Sequence, residues 1–263
     1  MDNPVAVKIS AVVMIYNEEA QIRQCLDTIK WVDEIVICDS FSIDRTIEIC
    51  REYTDKIYQR AFDNFGSQKQ WLMDKPSYEW VLFVEADERF PRELADEIRS
   101  RIAAGEGYDG YWMPFRNFVF GKEMKGPFWT FRKIKLYKKD RGGWEDKLVH
   151  AGFILDGNAG ELKNAVLHYP FPTFRAMLHK NIRATRLEAQ QLLRQKKPAG
   201  AIYTLKALCW VPMRFCKFFF GLGGHRNGMP GLVHSMVTAL YFINVIIQYW
   251  NMRIWDRNRS YRS

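Results

Sequence analysis

Cysteine is scarce in this chain of 263 residues and never paired at close spacing. Its five cysteines, Cys25, Cys38, Cys50, Cys209 and Cys216, form no CxxC motif. Reduced, buried thiols in a cytosolic protein are therefore expected. The N-terminal stretch MDNPVAVKIS has no basic region followed by an apolar run, so no secretion signal is expected. No internal repeat or low-complexity tract stands out, and no recognised DNA- or RNA-binding motif is present. General disorder is excluded by a hydrophobic content of 48% and an aromatic content of 15%, which easily supply a packed core.

What is present is basic. The net charge is +9 and the pI about 9.3, which suits nucleic acid, anionic lipid or phosphorylated substrates. The length allows one large α/β domain with an appendage.

The first hundred residues alternate between two periods. Apolar, β-branched runs at Ile9–Tyr16, Glu34–Asp39 and Trp80–Glu85 read as buried strands, with a shorter one at Lys56–Arg60. Between them Ile22, Leu26 and Ile29 share a helical face, Asp44 caps a helix carrying Ile47 and Ile49, and residues 66–74 read as helical. A further helix starts near Pro91. This rhythm predicts an α/β fold, a parallel sheet with helices on both faces. After Gly105, runs at 110–120, 131–138, 152–156 and 165–169 read as strands that extend the sheet antiparallel and form an acceptor side. From Pro172 the chain turns helical, with a long amphipathic stretch to about Gln195 and apolar runs at 201–220 and 229–250. The expected boundaries are one domain over 1–170, dividing between 104 and 105, and a helical region over 171–263.

Ligands of open parallel sheets bind beyond the carboxyl ends of the strands. Three strand ends carry acids: Tyr16-Asn17-Glu18-Glu19, Asp39 with the polar turn to Asp44, and Glu85-Ala86-Asp87-Glu88. Helix capping explains Asp44. It explains Glu85 and Asp87 less well, because their turn precedes Pro91 by several residues. Two carboxylates two positions apart in a turn can face Mg2+ or Mn2+, with a substrate diphosphate completing the shell. The acids also oppose a phosphate-backbone partner, so no nucleic acid is expected despite the basic charge.

In order and spacing, ISAVVMIYNEE, DEIVICDSFSIDRT, FGSQKQ and WVLFVEADERFPREL, followed less sharply by KIKLYKK, VHAGF and LHY, resemble glycosyltransferase family 2. The nearest group is the small bacterial enzymes that add glucose to the lipopolysaccharide inner core. The resemblance spans roughly residues 9–170, and it implies that 1–170 is a catalytic domain with a nucleotide-sugar (donor) half over 1–104 and an acceptor half over 105–170. It implies the Rossmann-like fold called GT-A and an inverting, metal-dependent transfer of a hexose, such as glucose from UDP-glucose, to a lipid-linked saccharide. It places Tyr16, Asn17 and Glu18 along the nucleotide pocket, Asp39 on the base, Gln68 and Lys69 near the donor, and Lys135 near the diphosphate. Asp87 becomes the main ligand of Mg2+ or Mn2+, and His168 a further ligand. Glu85 stands where the family usually has aspartate, and reaches one methylene further toward ribose or metal-bound water.

The family often has glutamate directly after the histidine of the VH piece, where this chain has Ala151. A base is still needed to deprotonate an acceptor hydroxyl. Asp146, followed by Glu145, is the nearest acidic replacement. As a metal ligand His150 is a weaker candidate than His168, and His179, His225 and His234 belong to the tail. A related reading is a nucleotide-sugar-binding module of the same fold that has lost its chemistry.

The run 229–250 is long enough to cross a bilayer, but His234, Asn244 and Gln248 interrupt it. Trp210, Phe215, Phe218, Phe219, Trp250 and Trp255, together with Lys217, Arg253 and Arg257, suit a helix lying at an anionic interface. The expectation is a peripheral or monotopic protein on the cytoplasmic side of a bacterial inner membrane.

Overall fold

The structure, a computed structural model, describes residues 7–146, 152–195 and 201–260, with the backbone alone for 201–203 and 254–260. His150 and Ala151 lie outside the described residues, as do the side chains of Trp255 and Arg257.

The N-terminal part follows the expected rhythm: β1 (Ile9–Ile15), α1 (Ile22–Asp27), β2 (Glu34–Asp39), α2 (Thr46–Cys50), β3 (Ile57–Gln59), α3 (Phe65–Leu72) and β4 (Trp80–Glu85). The four strands are parallel in the order β3-β2-β1-β4. β1 shows why its sequence is apolar throughout. Ala11, Val13 and Ile15 point to one core cluster, and Val12 points to the other. With helices on both faces, neither side of the strand meets water. Asn64 caps α3 by accepting from Ser67 N at 2.7 Å. Asp44 accepts from Thr46 N at 3.0 Å at the start of α2.

Beyond β4 come β5 (Glu88–Arg89), α4 (Arg92–Ala103), β6 (Gly110–Val119), β7 (Lys122–Glu123), β8 (Arg132–Lys138), β9 (Gly142–Trp144), β10 (Phe153–Leu155), β11 (Ala159–Glu161) and β12 (Val166–Phe171). α4 buries Leu94, Ala95, Ile98 and Ile102 on one stripe, which is the period of a surface helix. β8 adds antiparallel to β4, and β6 adds antiparallel to β8, as expected for the second half.

Two strands depart from that expectation. β10 does not join the sheet but forms a hairpin with β9. β11, unforeseen, pairs with β6 in parallel. The two-residue β5 pairs antiparallel with β12, setting His168 opposite Glu88.

The remaining elements are α5 (Phe174–Arg194), α6 (Ala201–Cys216), a π-helical turn over Lys217–Gly221, a 3-10 turn over Gly224–Asn227 and α7 (Gly228–Ser260). Cys25, Cys38 and Cys50 are buried free thiols, but Cys209 and Cys216 are exposed on α6. The expectation of burial fails for these two because α6 leaves much of its apolar surface outward.

The chain divides into two compact units. Residues 1–116 and 131–169 form the α/β unit, and residues 117–130 and 170–263 form the helical unit. The passage near residue 170 is one of three places where the chain changes unit, because the excursion 117–130 belongs with the helices.

Candidate active site

Register sets the frame. Ile15 of β1 pairs with Asp39, and Met14 pairs with Glu85. The two acids thus finish the strands on either side of β1 at nearly one level. Two inter-strand spacings put their backbones about 10 Å apart.

On the β2 side, Asp39 is fully buried. Its carboxylate accepts from Ser42 N at 3.0 Å and from Gln59 Nε2 at 3.1 Å. The two neighbouring loops are laced together. Asn17 N donates to Ser42 Oγ at 2.8 Å, Ile43 N donates to Asn17 Oδ1 at 2.9 Å, and Glu18 N donates to Thr46 Oγ1 at 2.8 Å. Asn17 and Phe41 both hold positive φ, 53° and 62°. Asparagine tolerates this region, whereas a bulky residue there is uncommon. Such conformations concentrate where a loop is held for a purpose.

Tyr16 is half-buried at the end of β1. Gln68 is fully buried beneath the loops, donating to Ser40 Oγ at 2.8 Å. Its role here is to support the β2 turn from below.

On the β4 side, Glu85, Asp87 and His168 bring one ligand atom each to within 4.8 Å of one another. His168 Nε2 lies 3.5 Å from Asp87 Oδ2. Metal–oxygen bonds of about 2.1 Å put cis ligands about 3 Å apart and trans ligands about 4.2 Å apart. The cluster is therefore close to octahedral size and needs only a small contraction. Two carboxylates with an imidazole fit Mn2+ well and Mg2+ acceptably. His168 reaches this place through the β5–β12 pairing, reinforced by Tyr169 N donating to Asp87 O at 2.7 Å.

Cations surround Glu85. Lys69 Nζ lies 3.6 Å and Lys135 Nζ 3.8 Å from its Oε1. Burial alone would raise this carboxyl, but Lys135, Lys69 and Lys133 hold it far below the usual carboxylate range. Lys69 packs over Trp144 at 4.2 Å and Phe83 at 4.8 Å, and burial lowers its ammonium below the ordinary value. Lys135 is not solvated. It is buried on β8, and its Nζ lies 2.6 Å from Oε1 of Glu88, itself fully buried.

Sequence reasoning missed two residues here. Glu88 Oε2 accepts from Glu85 N at 3.0 Å and so closes the turn that carries Asp87. Arg89, almost buried, donates to Ala86 O and Glu88 O at 2.8 Å and to Gln21 O at 3.2 Å, tying the turn to the start of α1. The only local signal was a run of charges, EADER, directly after a buried strand.

The expected bases sit on the β9–β10 hairpin. Glu145 Oε2 accepts from Gly152 N at 2.9 Å, and Glu145 N donates to Gly152 O at 3.0 Å. Asp146 is exposed. Trp144, immediately before them, packs on Phe83 with ring centroids 4.7 Å apart, so the hairpin begins beside the β4 end of the site.

The model of the family "Glycosyl transferase family 2" matches residues 10–155. The lipopolysaccharide core biosynthesis glycosyltransferase LpsC of Rhizobium meliloti is 26% identical over 242 residues, covering 89% of this chain and 88% of its own length. A glycosyltransferase of Rickettsia felis is 27% identical over 247 residues, covering 88% and 86%. Among solved structures, S. aureus TarS 1-349 in complex with UDP aligns with a TM-score of 0.45 and 14% identity, covering 92% of this chain and 89% of that one.

Proposed function

The chain belongs to glycosyl transferase family 2, and from that premise we propose that this glycosyltransferase moves a hexose, glucose from UDP-glucose, onto a lipid-linked saccharide of the lipopolysaccharide core type with inversion at the anomeric carbon. The observation that carries the reading is the Glu85–Asp87–His168 cluster at the end of β4, one strand away from Asp39 across β1. Asp39 and the laced loops of Tyr16, Asn17 and Glu18 take the nucleoside. Asp87 and His168, with Glu85 beside them, would hold Mg2+ or Mn2+. Such an ion would supply positive charge to offset that on the departing diphosphate.

The chain's own residues do the rest. Asp146, or Glu145 beside it, takes the proton of the acceptor hydroxyl. The hydroxyl oxygen bonds to the anomeric carbon from the face opposite the phosphate, and the bond from that carbon to the phosphate oxygen breaks. Lys69, held near Glu85, adds positive charge close to the leaving group. The β6–β8 side of the α/β unit receives the acceptor.

The acceptor class is supported by the name of the Rhizobium relative, which matches nearly end to end. A membrane location is supported by α7, which is long and apolar enough to cross a bilayer by length and composition. Two of the polar residues that interrupt it, His234 and Asn244, are partnered within the helical unit. Asn244 Nδ2 donates to Asn181 Oδ1 at 3.2 Å, and His234 packs on Trp129 with ring centroids 4.5 Å apart. Helices α6 and α7 turn apolar side chains outward, including Trp210, Met213, Met236 and Ile247. This is the pattern of a monotopic attachment, on the cytoplasmic side where nucleotide sugars are made.

The test is metal-dependent release of UDP from UDP-glucose with a core-lipid acceptor. Asp87→Ala should lower turnover at least ~10³-fold, since the metal supplies several kcal/mol, while leaving the thermal transition in place. Near-normal turnover in that variant would refute the assignment.

A further inference from the structure

The helical unit carries an unassigned groove between α5 and α7. Leu178 lines one cleft with Leu240, and Leu193 lines a second cleft with Met252. The first cleft, about 240 Å³, is largely apolar. Leu178, Ile182, Leu240 and Ile247 along it are 37%, 52%, 42% and 50% exposed, so they meet solvent in the isolated chain. The second, about 670 Å³, is also largely apolar in surface but has Arg186 and Arg194 at its wall. Gln248 lines both clefts, so the two adjoin at this residue. Arg186 follows Leu178 by about 12 Å along α5.

We propose that this groove seats one anionic phospholipid, with an acyl chain along Leu178, Ile182, Leu240 and Ile247 and the headgroup phosphate on Arg186 and Arg194. The proposal rests on the membrane reading above and gives it a specific site. Charge supports it: neither arginine has a carboxylate partner among the described residues, and the adjacent Glu188 is committed to Tyr241 Oη at 2.7 Å. Guanidinium groups suit phosphate oxygens geometrically. A free phosphate would use only the basic cleft and leave the apolar one wet. Only a third of the apolar window of α7 is buried, which favours acyl chains over water as its surroundings. The larger cleft also falls within the ~300–1,000 Å³ range of ligand sites.

The experiment is co-sedimentation of the full chain with phosphatidylglycerol vesicles and with phosphatidylcholine vesicles, with inorganic phosphate as a competitor. Wild type should prefer phosphatidylglycerol. Arg186→Gln with Arg194→Gln should weaken that binding about thirty-fold, from two cationic contacts at about 1 kcal/mol each. Arg175→Gln with Lys206→Gln removes the same charge from exposed positions outside the groove and should weaken it less than about threefold. Ile182→Ser with Ile247→Ser should weaken binding to both kinds of vesicle.

Equal losses in the two charge variants would leave membrane attachment standing and overturn the groove. Full competition by millimolar inorganic phosphate would make it a phosphate site instead. A lipid-free dimer that the serine variants convert to monomer would assign the groove to a second copy. Failure of wild type to bind either vesicle would remove the membrane reading itself.

Discussion

The contact between Lys135 Nζ and Glu88 Oε1, 2.6 Å long, holds two ionisable groups almost wholly out of water. Burial pushes the Glu88 carboxyl up while Lys135 pulls it down; the Lys135 ammonium is raised despite burial, because Glu85 and Glu88 favour its charged form. Breaking such a pair leaves a buried charge uncompensated, at a cost of about 3–5 kcal/mol, whereas neutralising both sides is far milder. Lys135→Met should therefore destabilise by that amount in urea unfolding, and adding Glu88→Gln should recover most of the loss. Additive losses would show that the groups act independently. The base is tested separately. Asp146→Asn should lower kcat about 10²–10⁴-fold, whereas Glu145→Gln should lower it less, because the Glu145 carboxylate already accepts from Gly152 N. The reverse order would move the role to Glu145.

Glu34 shows how the parallel strands are pinned before they reach the site. Its carboxylate, almost buried at the start of β2, accepts from Ser10 Oγ of β1, from Ser77 N at 2.8 Å and Ser77 Oγ at 2.7 Å just before β4, and pairs with Lys56. Burial opposes ionisation, but Lys56, Ser10 and Ser77 together lower this carboxyl from 4.5 to about 2. A carboxyl depressed in the folded state contributes stability above its unfolded value and loses it as pH falls through the folded one. Glu34→Gln should then cost up to about 3 kcal/mol at pH 7. The difference from wild type should shrink between pH 4.5 and pH 2, followed by denaturant midpoints. A gap unchanged across that window would assign the effect to packing rather than charge.

Legibility differed between elements for physical reasons. β1, β2 and β4 were readable because strands covered on both faces are continuously apolar. The acids at their ends were readable because loops follow at once. β5 was not, since two residues carry no periodicity, yet its pairing with β12 is what brings His168 to Asp87. The burial of Lys135 was hidden too, because in RKIKLYKK it looks like its exposed neighbours Arg132 and Lys133. The closed turn of Glu88 depends on a side chain folding back to the backbone N of Glu85, which sequence spacing does not reveal.

Across the full chain, two kinds of surface coexist. The α/β unit gathers acids at strand ends and buries the cations that hold them in place. The helical unit presents outward apolar side chains and, among the described residues, two arginines, Arg186 and Arg194, with no carboxylate partner, in a chain of net charge +9. That division fits the proposed function, in which the α/β unit takes a soluble, charged donor and the helical unit meets lipid. The expected donor and acceptor halves of the α/β unit remain a proposal tied to where the nucleotide binds. Calorimetric titration of UDP into wild type and Asp87→Ala, with and without Mn2+, tests this foundation. Mn2+ should tighten UDP binding at least about tenfold in wild type, equivalent to ~1.4 kcal/mol, and should do little in the variant. UDP affinity that is indifferent to Mn2+, or a metal effect that survives the loss of Asp87, would contradict it.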